Sequence, residues 1–285
     1  MVRMFALAGA AAVLSSQSAA ATVQPLSDRV AWLEGSSCNM LIVSSDAGLL
    51  LIDDQRGRDY DETRVALDHA YHRPVVRIVD THWHLDHAGG NGRFAEAGAL
   101  VLAQANVRKR LAEPQYMSAY KQLIPASPTV GLPRQTYDVH LTIRFGGETV
   151  RLVHVPHAHT DGDTLVKLDQ ANVIHMGDVF FNGIFPFIDL DSGGSIQGLI
   201  RAVDTALRMS DDRTRIVPGH GPIATRADLL AYRAMLAEVA ANVRHQIAIG
   251  HGLGVIIGSR PAAVYKLEGD EDRLIGAIYA GYITH

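Results

Sequence analysis

The stretch Thr81-His-Trp-His-Leu-Asp-His-Ala-Gly-Gly-Asn91 puts four metal-liganding side chains, His82, His84, Asp86 and His87, within six positions. Side chains two apart on an extended segment point the same way, so His82 and His84 can grip one ion together. Asp86 and His87 follow where the backbone must turn, and they can face a second ion close by. Upstream, Pro74–Asp80 (Pro-Val-Val-Arg-Ile-Val-Asp) reads as a buried strand, and Gly89-Gly90 as the bend after it. The ligands therefore sit at the carboxyl end of a strand, where open α/β sheets usually place their sites.

Around that motif the pattern is one of short strands, then strands alternating with helices. Val30–Glu34, Cys38–Ser45 and Leu49–Asp53 are rich in aliphatic and β-branched residues, with Asp46-Ala-Gly48 as a hairpin turn. Tyr60–His72, Asp86–Ala97, Asn106–Ala112 and Pro114–Leu123 read as helical. Val75–Asp80 and Leu100–Ala103 read as strands, and Pro125–Pro133 as an irregular connection. In the second half, Val139–Phe145, Glu148–Val155, Thr164–Lys167, Asn172–Met176 and Thr214–Val217 read as strands, and Ser195–Met209 as a helix. Ala227–Ile249 reads as a long helix whose Leu229, Leu236, Val239, Val243 and Ile247 form an apolar stripe that suits a core. Two halves that each run from strands into helices suggest a duplicated unit, packed as two sheets face to face with helices outside.

Three later segments each follow a strand and carry glycine, which suits a tight loop bringing a ligand to a fixed centre. They are Val155-Pro-His-Ala-His-Thr-Asp-Gly-Asp-Thr164, His175-Met-Gly-Asp-Val-Phe180 and Val217-Pro-Gly-His-Gly-Pro222. With Asp53 ending an early strand and the His-x-His-x-Asp-His run, they make five motifs in order. On these motifs the chain resembles the metallo-β-lactamase superfamily of binuclear zinc hydrolases over essentially everything after its first residues. The resemblance implies an α/β fold, a four-layer αββα sandwich of two mixed β-sheets with helices on the outer faces.

It also implies two Zn²⁺ per chain. His82, His84 and His159 would surround the first ion, and Asp86, His87 and His220 the second, with Asp178 bridging both. Imidazole and carboxylate ligands without thiolate suit zinc, while leaving iron and manganese open. His157 rivals His159, which is preferred because the family motif has histidine directly before threonine. His175 is a candidate to support a ligand, Asp53 a candidate acceptor for a ligand histidine, and Asp163 a turn or capping residue. The familiar β-lactamases of the superfamily lack a bridging aspartate, so Gly177-Asp178 and Pro218-Gly-His-Gly221 resemble glyoxalase-II-type branches more closely.

The mechanism that follows is hydrolysis by a metal-bridging hydroxide of an amide or lactam, a lactone or an ester, with Asp86 orienting it and shuttling a proton. A glyoxalase-II-like thioesterase is one alternative, set back by the lack of an obvious basic patch for a glutathione-like carboxylate. An iron-dependent redox enzyme on the same fold is another, though that branch commonly has glutamate where His84 stands. Substrate contacts are expected from the aromatic-rich Val179–Ile188, with Asn182 available for a carbonyl or carboxylate. Trp83 and Leu85 would shape the site, and Tyr116–Leu132 would form a lid.

Composition limits the partners. A net charge of −4 with no long basic run points away from nucleic acid. Cys38 is the single cysteine, which excludes an intrachain disulfide, and it reads as a small buried hydrophobe. Arg3, the apolar Met4–Leu14 and the small residues Ser18–Ala21 read as a cleaved signal peptide, residues 1–21. The apolar run is shorter than the ~20 residues a membrane span takes. The expected product is a single hydrolase domain, residues 22–285, periplasmic or secreted, acting on a small molecule without membrane insertion.

Overall fold

The computed structural model describes residues 22–283, and the expected signal segment lies outside them. Strands β1 (Val23–Pro25), β2 (Val30–Glu34), β3 (Asn39–Ser45) and β4 (Gly48–Ile52) pair antiparallel in chain order. Helix α1 (Tyr60–Tyr71) crosses to β5 (Val75–Val79), which runs parallel to β4. Short helices α2 (Leu85–Ala88) and α3 (Asn91–Glu96) lead to β6 (Leu100–Gln104). Helix α4 (Ala105–Leu111), a hairpin of β7 (Gln115–Met117) and β8 (Gln122–Ile124), and edge strand β9 (Gln135–Tyr137) follow. The first sheet has the order β1-β2-β3-β4-β5-β6-β9.

The second sheet runs antiparallel through β10 (His140–Phe145), β11 (Glu148–His154), β12 (Thr164–Leu168) and β13 (Val173–His175). Strand β14 (Arg215–Val217) then adds parallel to β13, after the crossover helix α5 (Ile196–Arg208). Helices α6 (Arg226–Ala248), α7 (Leu253–Gly258) and α8 (Glu271–Ile283) end the described chain. A reciprocal capping box starts α6, with Thr225 N–H on Asp228 Oδ2 (2.8 Å) and Asp228 N–H on Thr225 Oγ1 (3.3 Å).

Both sheets are covered on both faces, and the two-residue strand period sorts the core into three layers. Leu41, Val43, Leu50 and Ile52 meet Val150, Leu152, Val166 and Val217 between the sheets. Their neighbours Met40, Ile42, Leu49 and Leu51 point the other way, against Leu67 of α1 and Phe94 of α3. On the far side Leu165, Ile174 and Ile216 pack under α5, α6 and α8, where Leu229, Leu236, Val239 and Val243 of the expected stripe are buried. This burial on both faces explains why β3 and β4 read as unbroken apolar runs. The architecture is the αββα sandwich.

Two expected helices take other forms. Pro114–Leu123 is the β7–β8 hairpin: prolines at 114 and 125 bracket too few residues for a stable helix, and Lys121 closes the turn at φ 51°. Asp86–Ala97 is two helices, because the chain bends at Gly89-Gly90 where Gly90 N–H reaches back to Asp54 Oδ1 (2.8 Å). Strands β1 and β9 and everything after residue 249 carried no usable sequence period.

Candidate metal centre

All seven expected ligands converge at one end of the sandwich, on the segments that follow β5, β11, β13 and β14. Donor atoms of His82, His84, His159 and Asp178 lie within 4.8 Å of one another, as do those of Asp86, His87 and His220. Asp178 stands between the sets. Its Oδ1 is 3.0 Å from His87 Nε2 and 3.3 Å from His220 Nε2, while Oδ2 is 3.6 Å from His159 Nε2 and 3.9 Å from His82 Nε2. Asp86 Oδ2 is 3.5 Å from His220 Nε2.

The outward nitrogen of each buried histidine is held by an acceptor, which fixes where its proton sits. His84 Nε2 faces Asp189 Oδ2 at 2.9 Å, and His159 Nδ1 faces the Phe187 carbonyl at 2.8 Å. His87 Nδ1 faces Asp53 Oδ2 at 2.8 Å. Thr81 Oγ1 donates to Asp53 (2.9 Å), so it accepts from His82 Nδ1 (3.1 Å). In these tautomers the inward nitrogens are bare lone pairs. His84 Nδ1 and His159 Nε2 are nevertheless 2.9 Å apart, and buried His82 Nε2 has no hydrogen-bond partner among the described residues. Two lone pairs at that distance repel unless a cation lies beside them, so the residues fit a metal.

Electrostatics agree. Burial alone would disfavour charge on Asp178, but His220 and His87 outweigh it and hold the carboxyl well below the usual range. Burial also opposes charge on His220, yet Asp178 and Asp86 push it up to about 9. Burial drives His159 down to about 4, which suits a neutral ligand.

Asp53 follows β4 in a left-handed conformation, φ 63°, and takes Thr81 N–H (2.7 Å) as well as His87; His175 Nε2 lies 3.3 Å away. His175 thus touches Asp53, not a ligand. His157 is exposed and turned onto the Gly193 carbonyl (2.9 Å), leaving His159 as the inward histidine. Asp163 accepts from Thr160 N–H (2.8 Å) and its hydroxyl (2.6 Å), a turn role. Trp83 is buried with its Nε1–H on Ser192 Oγ (3.0 Å). Gly219 makes room for the aspartate: a Cβ there would lie 2.0 Å from Asp178 Oδ1.

A cleft of about 1120 Å³ opens over His84, Asp86, Asp178 and His220. The expected lid segment lines it, with Met117, Tyr120 and Ile124 from the hairpin and Val130 beyond. Asn182 does not: its amide donates to the Pro222 carbonyl (2.9 Å), because the turn after Phe181 is pinned beside His220. Three features escaped the sequence reading. Asp189 looks like any acid in a loop, the Phe187 carbonyl has no sequence mark, and Arg56, Arg58 and Arg93 reach the cleft from distant segments.

The metallo-beta-lactamase superfamily model matches residues 34–220, and the chain belongs to that superfamily. An uncharacterised protein of Mycobacterium tuberculosis is 27% identical over 202 residues, covering 66% of this chain and 88% of that one. A hydroxyacylglutathione hydrolase of Erythrobacter litoralis is 32% identical over 108 residues, 38% of this chain and 35% of that one. Among solved structures, a metallo-beta-lactamase from Pontibacter korlensis superposes with a TM-score of 0.63 at 20% identity, covering 76% of this chain and 99% of that one. That likeness is one of fold.

Proposed function

We propose that the chain is a zinc-dependent hydrolase that cleaves an amide or lactam, a lactone or an ester in a small molecule. The observation carrying this reading is the pair of bare nitrogens on His84 and His159, 2.9 Å apart beside a carboxylate with an oxygen toward each ligand set. His82, His84, His159 and Asp178 would hold one ion, and Asp86, His87, His220 and the other oxygen of Asp178 the second. When bound, such ions supply a water of lowered pKa as nucleophile and polarise the bond under attack.

The chain's own residues do the rest. Burial works against charge on Asp86, but His220 and His87 overcome it and hold the carboxyl below its usual range. It is therefore ionised at working pH, partly exposed to the cleft, and placed to orient the water and pass its proton to the leaving group. Asp53, Asp189, Thr81 and the Phe187 carbonyl keep His82, His84, His87 and His159 in their liganding tautomers. Trp83, Phe181 and Phe187 give the cleft apolar walls beside the ligands.

A thioesterase reading gains from one observation, the arginines of the cleft, which supply the basic wall a carboxylate-bearing thioester needs. The proposal also puts the mature chain in the periplasm or outside the cell, supported by the three-part pattern of residues 1–21, with no nucleic-acid or membrane partner. Metal analysis of the purified chain, with nitrocefin, lactone and thioester assays run with and without chelator, tests it. Two zinc per chain and chelator-sensitive turnover of a lactam, lactone or ester are expected. Chelator-insensitive turnover contradicts the reading, and exclusive thioester turnover selects the second.

A further inference from the structure

The cleft has two chemically distinct surfaces to which the hydrolytic reading assigns no particular part of a substrate. One is apolar and includes Met117, Ile124, Phe181 and Phe187. The other is the loop after β4 together with α3, which brings Arg56, Arg58 and Arg93 to the same cavity. Outside the ligand set, Glu96 is the one carboxylate of the lining, so this wall is cationic.

The three guanidinium groups are not equivalent. Arg93 is committed to Asp61 (3.0 Å) and lies over the Tyr60 ring, 4.3 Å from its centroid. Arg58 stands 3.6 Å from Asp59. Arg56 has no ion-pair partner among the described residues, although its backbone is firmly set. Its N–H donates to Ser37 Oγ (3.2 Å), and Ser37 Oγ donates in turn to Asp59 (2.7 Å). The preceding Gln55 is buried in a left-handed conformation, φ 70°, with its side-chain oxygen on Ser37 N–H (3.0 Å). The following Gly57 packs so closely on the bend after His87 that a Cβ would lie 2.9 Å from the Gly89 carbonyl. The backbone that carries Arg56 is thus fixed to the Asp86–His87 segment, and its exposed side chain reaches the cleft from there.

We propose that the cleft selects anionic amphiphiles: molecules whose single carboxylate or sulfonate is taken by Arg56 and whose apolar body lies along Met117, Ile124 and Phe187. This assignment rests on the hydrolytic reading of the centre and names the substrate class for it. Arg56 supplies a charge-assisted hydrogen bond, stronger than a neutral one, from the one arginine of this wall not paired with a carboxylate among the described residues. The apolar surface excludes small hydrophilic acids, and a cavity of about 1120 Å³ accommodates a body larger than one ring. The scissile bond then spans the gap between the two surfaces, over Asp86 and Asp178.

The test compares mono-4-nitrophenyl suberate, which carries a distal carboxylate, with the neutral 4-nitrophenyl octanoate, on the zinc-loaded full chain. The ratio of their kcat/KM values is expected to favour the anionic ester about tenfold, to fall toward one in Arg56→Gln and to recover in part in Arg56→Lys. Thermal melts of both variants check that they fold. A ratio near one in the parent chain, or one unchanged by Arg56→Gln, overturns the assignment while chelator-sensitive turnover leaves the hydrolase reading standing. If neither ester turns over, calorimetry decides, with 4-phenylbutyrate and 4-phenylbutyramide as probes. Preference for the acid that Arg56→Gln abolishes upholds the subsite without the hydrolase, and equal binding of the two sinks it.

Discussion

Among single residues, the acidic groups of the centre differ in what each carboxylate touches. Asp86 faces both His220 and the cleft, so Asp86→Asn removes the group proposed to move the proton and leaves the surrounding packing in place. Activity is expected to fall about 10²–10⁴-fold, with little change in the chemical-denaturation midpoint; equal losses of activity and stability contradict the role. Asp53 acts through others. Its carboxylate takes His87 Nδ1 and Thr81, and Thr81 in turn takes His82 Nδ1, so one side chain orients a histidine in each set. Asp53→Ala is expected to weaken metal affinity about 10–100-fold, read by competition against a chromophoric chelator. Affinity equal to the parent chain would remove Asp53 from the account.

At the element scale the centre depends on close backbone approach between the loops after β13 and β14. Gly219 N–H donates to both the Gly177 carbonyl (2.8 Å) and the Phe180 carbonyl (3.1 Å), with Asp178 held between. A methyl at Gly219 would meet Asp178 Oδ1 at 2.0 Å and the Gly177 carbonyl carbon at 2.7 Å. Gly219→Ala is therefore expected to cost roughly 1–3 kcal/mol and to lower bound metal below two per chain. Gly254→Ala in α7, where nothing lies within 4 Å, is the contrasting case, expected to be neutral or stabilising by about 0.4–1 kcal/mol in denaturant titration. Full metal content in Gly219→Ala would contradict the packing argument. These loops also show why the ligands could be read from sequence and their supports could not. Direct ligands are drawn from few residue types, and here each ligand segment follows a strand and contains glycine. The atoms that orient them include any acid and any carbonyl, such as Asp189 and the Phe187 oxygen, so composition leaves no trace of them. The β7–β8 hairpin is hidden from the sequence for a related reason, since its short mixed segment has neither a two-residue nor a helical period.

At the scale of the whole molecule, two mixed sheets packed through Leu41, Leu50, Leu152 and Val166 hold the centre at one end of the sandwich. The face-to-face halves were legible because β3, β4, β12 and α6 are strongly patterned; the C-terminal helices were not, since their apolar residues are interrupted by glycine. Candidate ligands from both halves meet at one site, so a bound metal would tie the sheets together. A ligand that binds only the folded chain stabilises it, by about 4 kcal/mol at a thousand times its dissociation constant. Chelation is therefore expected to lower the melting temperature of the entire sandwich in one transition. A melt unchanged by chelator would contradict that coupling. The most direct test is a crystal structure of the zinc-loaded protein with anomalous diffraction. Two peaks are expected, one against His84 Nδ1 and His159 Nε2, the other against His87 Nε2 and His220 Nε2, with Asp178 in contact with both. A single peak, or zinc bound away from Asp178, would contradict the account.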